Sequence, residues 1–297
     1  MRITSLEIDH LYGQYCGKIE FDAKVNILAG INGSFKSTIL QLLHDLTMQR
    51  QPSLELDKAV VNYADALRVY FYAKKQADNG QGDSVVQQLT RFKNNEYLTK
   101  DAFAEFARLT LVKTFDNSDE RAKVAEGSTL DGYLETLLVR YTHYLEDLAI
   151  EREEILKSEG MITLEQVKKI ESDKRAFLSI IDSFFQPSQK QLDPKRSDLS
   201  FVTDEGHRIP MHRLSSGEKQ LLILLLEVFL QRQQPCVVLM DEPELALHIN
   251  WQYRLLNALT ALNPNAQFIL TTHSPSIFGD GWGDKVIYVE DHITKSE

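Results

Sequence analysis

The sequence predicts an α/β fold, a mixed sheet with flanking helices that is interrupted by a mainly helical insertion. Three observations predict it. Near the start, the short apolar stretch Val25 to Leu28 runs into a glycine-containing loop and then into a helix-like segment. Far downstream, Cys236 to Met240 is a continuous apolar run that ends in two acids, the pattern of a strand buried on both faces of a parallel sheet. Between them, the sharpest pattern is helical, with apolar residues recurring at spacings of three and four.

Taken in order, Arg2 to Ile8, Lys18 to Phe21 and Val25 to Leu28 read as strands, with alternation clearest in Ile3, Leu6, Ile8, Ile19 and Phe21. Ser37 to Met48 then carries Ile39, Leu40, Leu42, Leu43 and Leu46 on one helix face. Residues 51–198 are assigned to the insertion and residues 1–50 with 199–297 to the core. The insertion opens with polar, turn-rich stretches, including a loop around Asp78-Asn79-Gly80. From Leu130 a seam of Leu134, Leu137, Tyr141, Tyr144 and Leu148 follows heptad spacing. A break at Ser158-Glu159-Gly160 precedes Thr163 and Gln166, the two ends of a capping box. Val167, Ile170, Phe177, Ile181 and Phe184 continue the helical face. Residues 130–185 therefore read either as a helical hairpin forming a short coiled-coil arm, or as two ordinary helices packed on the core. Beyond a linker at Asp193 to Ser197, Leu199 to Val202 and Arg208 to Met211 flank a tight turn; a buried helix from Ser216 to Phe229 follows. His248 to Leu262 is helical, and Gln267 to Leu270 and Lys285 to Val289 are strands.

Composition narrows the class. A chain of 297 residues with 43% hydrophobic content can bury a substantial core. No apolar run approaches the roughly 18–20 residues of a membrane span, the longest being Leu221 to Val228, and the N-terminus enters strand pattern without a secretory apolar segment. Cytoplasmic residence without membrane association is the expectation. Cys16 and Cys236, the two cysteines, are spaced as neither a disulfide framework nor a zinc site would be. The net charge of −10 disfavours a broad surface for nucleic acid, which requires clustered Lys and Arg, although a local basic groove remains open.

The motifs carry the chemistry. Gly30-Ile31-Asn32-Gly33-Ser34-Phe35-Lys36-Ser37-Thr38 lies between a strand and a helix, where backbone amides can surround a phosphate. Lys36 can then reach the outer phosphates, and Ser37 or Thr38 can hold Mg2+ through a hydroxyl. Phe35 occupies a position where glycine would permit close approach, so its ring must point away from the phosphates or narrow the pocket. Asp241 and Glu242 end an apolar strand and are placed to bind a metal and to position water. Ser215, Ser216, Gly217 and Glu218 open a helix, where hydroxyls and amides can meet an anion while also capping that helix.

These segments, Leu214 to Gln220, Cys236 to Pro243 and the loop at Gly30 to Thr38, together resemble the nucleotide machinery of ABC-type ATPases of the SMC, RecF and OLD-like branch. The resemblance covers about residues 1–48 and 199–291. It implies an ABC-type ATPase head that binds ATP and Mg2+, with Ser37 and Asp241 at the metal and Glu242 as general base. Thr271-Thr272-His273-Ser274-Pro275 resembles the loop that places a switch histidine, here His273, near the terminal phosphate, and Glu244 to His248 resembles the adjoining loop. In this branch the signature at Ser215 to Glu218 meets the ATP of a second subunit, so a homodimer closed through an ATP sandwich is implied. The usual glutamine loop is missing; Leu111 to Asn117 stands nearest, with Asp116 or Asn117 as substitute. Members of the branch act in DNA repair, chromosome organisation and anti-phage defence, some beside nucleases or retrons. The short insertion implies an ATPase that switches or senses within a multi-protein defence complex, its output carried by an effector such as a nuclease or retron component. A RecF-like repair ATPase that clamps DNA and a nucleotide-dependent scaffold with weak turnover are the alternatives.

Overall fold

The computed structural model describes residues 1–76, 84–106, 108–113, 130–196 and 198–296. It divides into two compact units, Met1–Lys113 with Gln234–Pro243 and Asn265–Glu297, and Thr114–Gln233 with Glu244–Pro264.

The first unit contains two sheets. Strands β1 (Ile3–Leu11), β2 (Tyr15–Glu20), β4 (Lys58–Tyr63), β5 (Leu67–Gln76), β6 (Ser84–Lys93), β7 (Glu96–Tyr97) and β15 (Ile293–Lys295) form an antiparallel sheet in the order β15-β2-β1-β4-β5-β6-β7. The second sheet is parallel, in the order β14-β3-β13-β12-β8, from β3 (Val25–Ala29), β8 (Leu109–Lys113), β12 (Val237–Asp241), β13 (Gln267–Thr271) and β14 (Val286–Tyr288). β3, β12 and β13 are almost wholly apolar because both their faces are covered. Helix α1 (Lys36–Thr47) packs against β5, β12 and β13, and its Ile39, Leu42, Leu43 and Leu46 are buried in one core with Leu6, Val61, Val69, Leu239 and Ile269. This layering fixes the start of α1 beside the ends of β3 and β12. Short helix α2 (Lys100–Ala104) adds Phe103 to the same core.

The strands β4 to β8 correct the expected domain plan. Residues 58–113 were assigned to a mainly helical insertion; their described residues build strands with only the short helix α2, and β8 pairs in register with β12. The physical reason is visible in β5, where Leu67, Val69 and Phe71 are buried while Arg68 and Tyr72 face outward, the half-buried alternation of an antiparallel strand. Among the described residues the second, largely helical unit begins at Leu130 and also takes in 199–233 and 244–264. The expected loop at Asp78-Asn79-Gly80 and the glutamine-loop substitutes Asp116 and Asn117 lie outside the described residues.

The second unit is built around α6 (Ser216–Phe229), buried on all sides from Glu218 onward, as an apolar helix at the centre of a bundle must be. Around it stand α3 (Leu130–Glu159), α4 (Leu164–Ile170), α5 (Ser172–Phe185) and α7 (Ile249–Leu262), with a small sheet of β9 (Lys190–Leu192), β10 (Phe201–Thr203) and β11 (Arg208–Ile209). The break at Gly160 and the capping box occur as expected, Thr163 Oγ1 accepting from the Gln166 amide at 3.2 Å and the Thr163 amide donating to Gln166 Oε1 at 2.8 Å. The heptad seam resolves in favour of packed helices. Leu134, Leu137, Tyr141, Tyr144 and Leu148 are buried, and Tyr144 meets Phe229 of α6 edge-on at 4.9 Å. Phe177 of α5 stacks on the same Phe229 at 4.1 Å between ring centroids. Phe177→Ala is expected to destabilise the protein by about 3–5 kcal/mol, the cost of removing a fully buried ring; urea denaturation followed by tryptophan fluorescence measures it. Glu227, 4% exposed, is held by Arg140 Nη1 at 3.3 Å and by the Tyr133 hydroxyl, which offsets the cost of burying a carboxylate. Among the described residues no helix is long and apolar enough to cross a membrane.

Candidate functional site

The loop between β3 and α1 closes around its own lysine. Lys36 Nζ donates to the carbonyls of Gly30 at 3.0 Å and Ile31 at 2.9 Å and to Ser34 Oγ at 3.3 Å. Burial pulls the Lys36 ammonium below its ordinary pKa, while the carboxylates of Glu242, Glu290 and Asp241 oppose that shift. A Cβ at Gly30 would stand 2.2 Å from Glu290 Oε2 and 2.7 Å from Ser34 Oγ, so both side chains would have to move, and the φ of 148° at this residue favours glycine. No side chain caps the amides that open α1. They lie at the positive end of the helix, where an anion is favoured.

Phe35 is in the left-handed region, φ 65° and ψ 13°, which explains why glycine suits this position. Its ring rests on Tyr15 at 4.7 Å and Tyr12 at 5.9 Å, both from the β1–β2 hairpin. Of the two outcomes the sequence leaves open, the ring is anchored on the hairpin while still lining the cleft. Replacing Phe35 by Ala and by Gly removes the ring in both cases, but only Ala keeps the Cβ that opposes a positive φ. Phe35→Gly is therefore expected to be more stable than Phe35→Ala by about 1 kcal/mol, measured by denaturant titration.

Opposite the loop, the parallel register aligns Asp241 with Thr271. Asp241 Oδ1 accepts from Thr271 Oγ1 at 2.6 Å and from Ser37 Oγ at 2.8 Å, joining β12, β13 and α1 through one oxygen. Glu242, the next residue, has φ 46° and donates its amide to Thr271 Oγ1 at 3.0 Å. This left-handed turn is an energetically costly conformation for a non-glycine residue, of the kind that concentrates at functional sites. Glu242 Oε1 lies 3.4 Å from His273 Nε2, with both side chains partly exposed. Asn32, Gly33, Ser34, Phe35, Lys36, Ser37, Thr38, Glu242 and His273 line one open cleft of about 630 Å³. Of the expected residues, the loop, the acids and the histidine thus come together within the first unit.

Ser215 to Glu218 lie in the second unit. Ser215 Oγ accepts from the Glu218 amide at 3.3 Å, and Glu218 Oε2 accepts from the Ser215 amide at 2.8 Å, a reciprocal cap for α6. Glu218 Oε1 pairs with Lys190 Nζ at 2.6 Å. Burial pushes the Glu218 carboxyl up, but Lys190 and the Ser215 amide outweigh it and hold it below the usual range. Both oxygens of Glu218 are thereby engaged, one at the helix start and one by Lys190 of β9. Ser215 Oγ accepts from the Glu218 amide, and its hydroxyl also supports the Glu218 carboxylate. A Cβ on Gly217 would stand 2.3 Å from the carbonyl of Ala246, so the loop before α7 lies directly on the signature backbone. Ser216 stands at the first position of the helix beside them.

Residues 66–279 match the family described as AAA domain, putative AbiEii toxin, Type IV TA system. The chain belongs to this AAA-domain family. The Gly30 to Thr38 segment precedes the matched stretch, which takes in Asp241, Glu242, His273 and Ser215 to Glu218. The AAA-domain protein is 32% identical over 125 residues to the retron Vc95 probable ATPase of Vibrio cholerae serotype O1 biovar El Tor, covering 38% of this chain and 23% of that protein. It is 32% identical over 105 residues to the retron Ec83 probable ATPase of Escherichia coli, covering 31% of this chain and 19% of the relative. Over 295 residues it is 22% identical to the Septu protein PtuA of Bacillus thuringiensis, covering 92% of this chain and 72% of PtuA. Its fold is that of SMC heads. The SMC head domain from Thermotoga maritima superposes with a TM-score of 0.52 at 15% identity, covering 94% of this chain and 92% of that one. An SMC head bound to the C-winged helix domain of ScpA gives 0.50 at 13% identity, with 94% and 92% coverage.

In this AAA-domain protein four participants give no clear signal in the sequence. Thr271 was quoted only as part of a motif, yet it links Asp241 to the backbone of Glu242. Tyr12 and Tyr15 lie far before Phe35 in the chain and give no local signal; only the pairing of β1 with β2 reveals them. Glu290 faces Gly30 from beyond the last parallel strand, and its charge acts on Lys36.

Proposed function

We propose that this AAA-domain protein is an ATP hydrolase that binds Mg-ATP on the Gly30 to Thr38 loop, closes as a nucleotide-sandwich dimer and acts as the switch of a multi-protein anti-phage defence complex. The observation that carries the chemistry is the continuous set of contacts from Ser37 through Asp241 and Thr271 to Glu242 and His273. The donor set fits the expected groups: uncapped amides and a lysine for phosphate, and a carboxylate with a hydroxyl, both hard oxygen donors, for Mg2+.

Ser37 Oγ and Asp241 would hold the ion, directly or through water, and when bound it would neutralise charge on the phosphates. Lys36 exchanges its loop carbonyls for phosphate oxygens, a short move for an ammonium that already sits inside the loop. Glu242 orients the attacking water and accepts its proton. His273 Nε2 fixes the rotamer of that carboxylate and faces the cleft where the terminal phosphate lies. Ser215 and the Gly217 amide supply donors to the nucleotide held by the second chain, and Glu218 keeps the helix start that presents them rigid. The relatives named as retron ATPases and as the Septu protein PtuA support the defence role, with an effector such as a nuclease carrying the output.

Two measurements on the purified chain test this reading. Phosphate release in Mg-ATP should exceed the no-enzyme rate and disappear on chelation, and light scattering should show dimers gained on adding Mg-ATP. A chain that binds Mg-ATP but neither hydrolyses it nor changes mass would leave the scaffold reading in place of this one.

A further inference from the structure

The far end of the β1–β2 hairpin gathers a second set of ligating side chains. Successive residues of a regular strand point to opposite faces. Here the pairing register shifts between Ile8 and Leu11 and His10 adopts φ 54°, so the neighbours Asp9 and His10 turn to the same place. Asp9 Oδ1 lies 3.0 Å from His10 Nδ1, and Cys16 Sγ, from β2, lies 3.3 Å from the same oxygen. The three ligand atoms are all within 4.8 Å of one another. Asp57, the residue before β4, brings its Oδ2 to 3.6 Å from His10 Nδ1.

We propose that Asp9, His10 and Cys16, with Asp57 as fourth ligand, form a binding site for a divalent transition-metal ion of the zinc class. Tetrahedral bonds of about 2.0–2.3 Å separate ligand atoms by roughly 3.3–3.8 Å; the Asp9–His10 and Asp9–Cys16 separations of 3.0 and 3.3 Å lie close to that range, and Asp57, 3.6 Å from His10 Nδ1, must swing toward the other two to complete the set. The chemistry of the set decides the ion. A thiolate beside an imidazole selects zinc-class ions, whereas Mg2+ and Ca2+ demand oxygen ligands. The site is therefore separate in both place and preference from Ser37 and Asp241. Binding requires the Cys16 thiol to lose its proton, which passes to solvent as the sulfur–metal bond forms, so affinity rises with pH. Cys236 offers no competing site, since it is 1% exposed and burial pushes its thiol up to about 11. An ion here would pin the hairpin that carries Tyr12 and Tyr15 onto Phe35.

Cobalt(II) is the probe, added to the chelator-treated full chain without nucleotide. The expected result is one equivalent bound, with a thiolate-to-cobalt charge-transfer band and tetrahedral visible bands, all displaced by Zn2+ and unaffected by excess Mg2+. Cys16→Ser should abolish the charge-transfer band and Cys236→Ala should retain it. Asp57→Asn should weaken binding by at least about tenfold. Circular dichroism confirms that each variant keeps the wild-type fold. Absence of the charge-transfer band in the wild-type chain, or its survival in Cys16→Ser, overturns the proposal.

Discussion

Glu242→Gln is expected to lower steady-state ATP hydrolysis by about 10²–10⁴-fold, the contribution of a general base, while leaving Mg-ATP binding intact. The amide is nearly isosteric, so the left-handed backbone at φ 46° and the amide bond to Thr271 Oγ1 are retained. What is lost is the basic oxygen that faces His273 Nε2. A step blocked after binding should accumulate the closed state, so the variant should run as a dimer in Mg-ATP when the parent turns over and reopens. Phosphate release and light scattering on the same sample read both effects. Hydrolysis within about threefold of the parent would remove Glu242 from the role of base.

Lys36→Ala acts one step earlier. In the parent, the ammonium is enclosed by two carbonyls and a hydroxyl of its own loop, so the position is prepared for a cation before any nucleotide arrives. Truncation removes a charge-assisted contact worth about 1.5–3 kcal/mol, which corresponds to a loss of roughly 10- to 150-fold in ATP affinity. It also leaves the carbonyls of Gly30 and Ile31 without their donor, which loosens the loop. Calorimetric titration with ATP measures the loss, and the magnesium-free titration should fall by a similar factor, since Lys36 reaches phosphate directly. An unchanged affinity would place the nucleotide elsewhere.

The two variants separate the halves of the site, and the halves were unequally visible in the sequence. The loop, β12 and β13 were legible because strands covered on both faces are unbroken apolar runs, and each ends in residues whose only economical reason is chemistry. Phe35 was legible as an anomaly, but its resolution required Tyr12 and Tyr15, which arrive from another strand. The antiparallel strands from Lys58 onward fall within the stretch expected to be a mainly helical insertion. In β5 and β6 one face is solvated, so Arg68, Gln87 and Gln88 interrupt every apolar run and resemble loop composition. The seam from Leu134 to Leu148 was read with the right face, but periodicity does not distinguish a partner helix of a coiled coil from the buried α6 that occupies that place.

The pairing of Asp241 with Thr271 has a further consequence for how such a chain can vary. Glu242 follows one residue after the first partner and His273 two after the second, so both are set by counting along a ladder. A single residue inserted within β12 or β13 would shift one count against the other, turn the following side chain to the opposite face and separate Glu242 from His273. The connection between the strands, which carries α7, is under no such constraint. Length changes among diverging copies should therefore collect in that connection and be absent from the two five-residue strands.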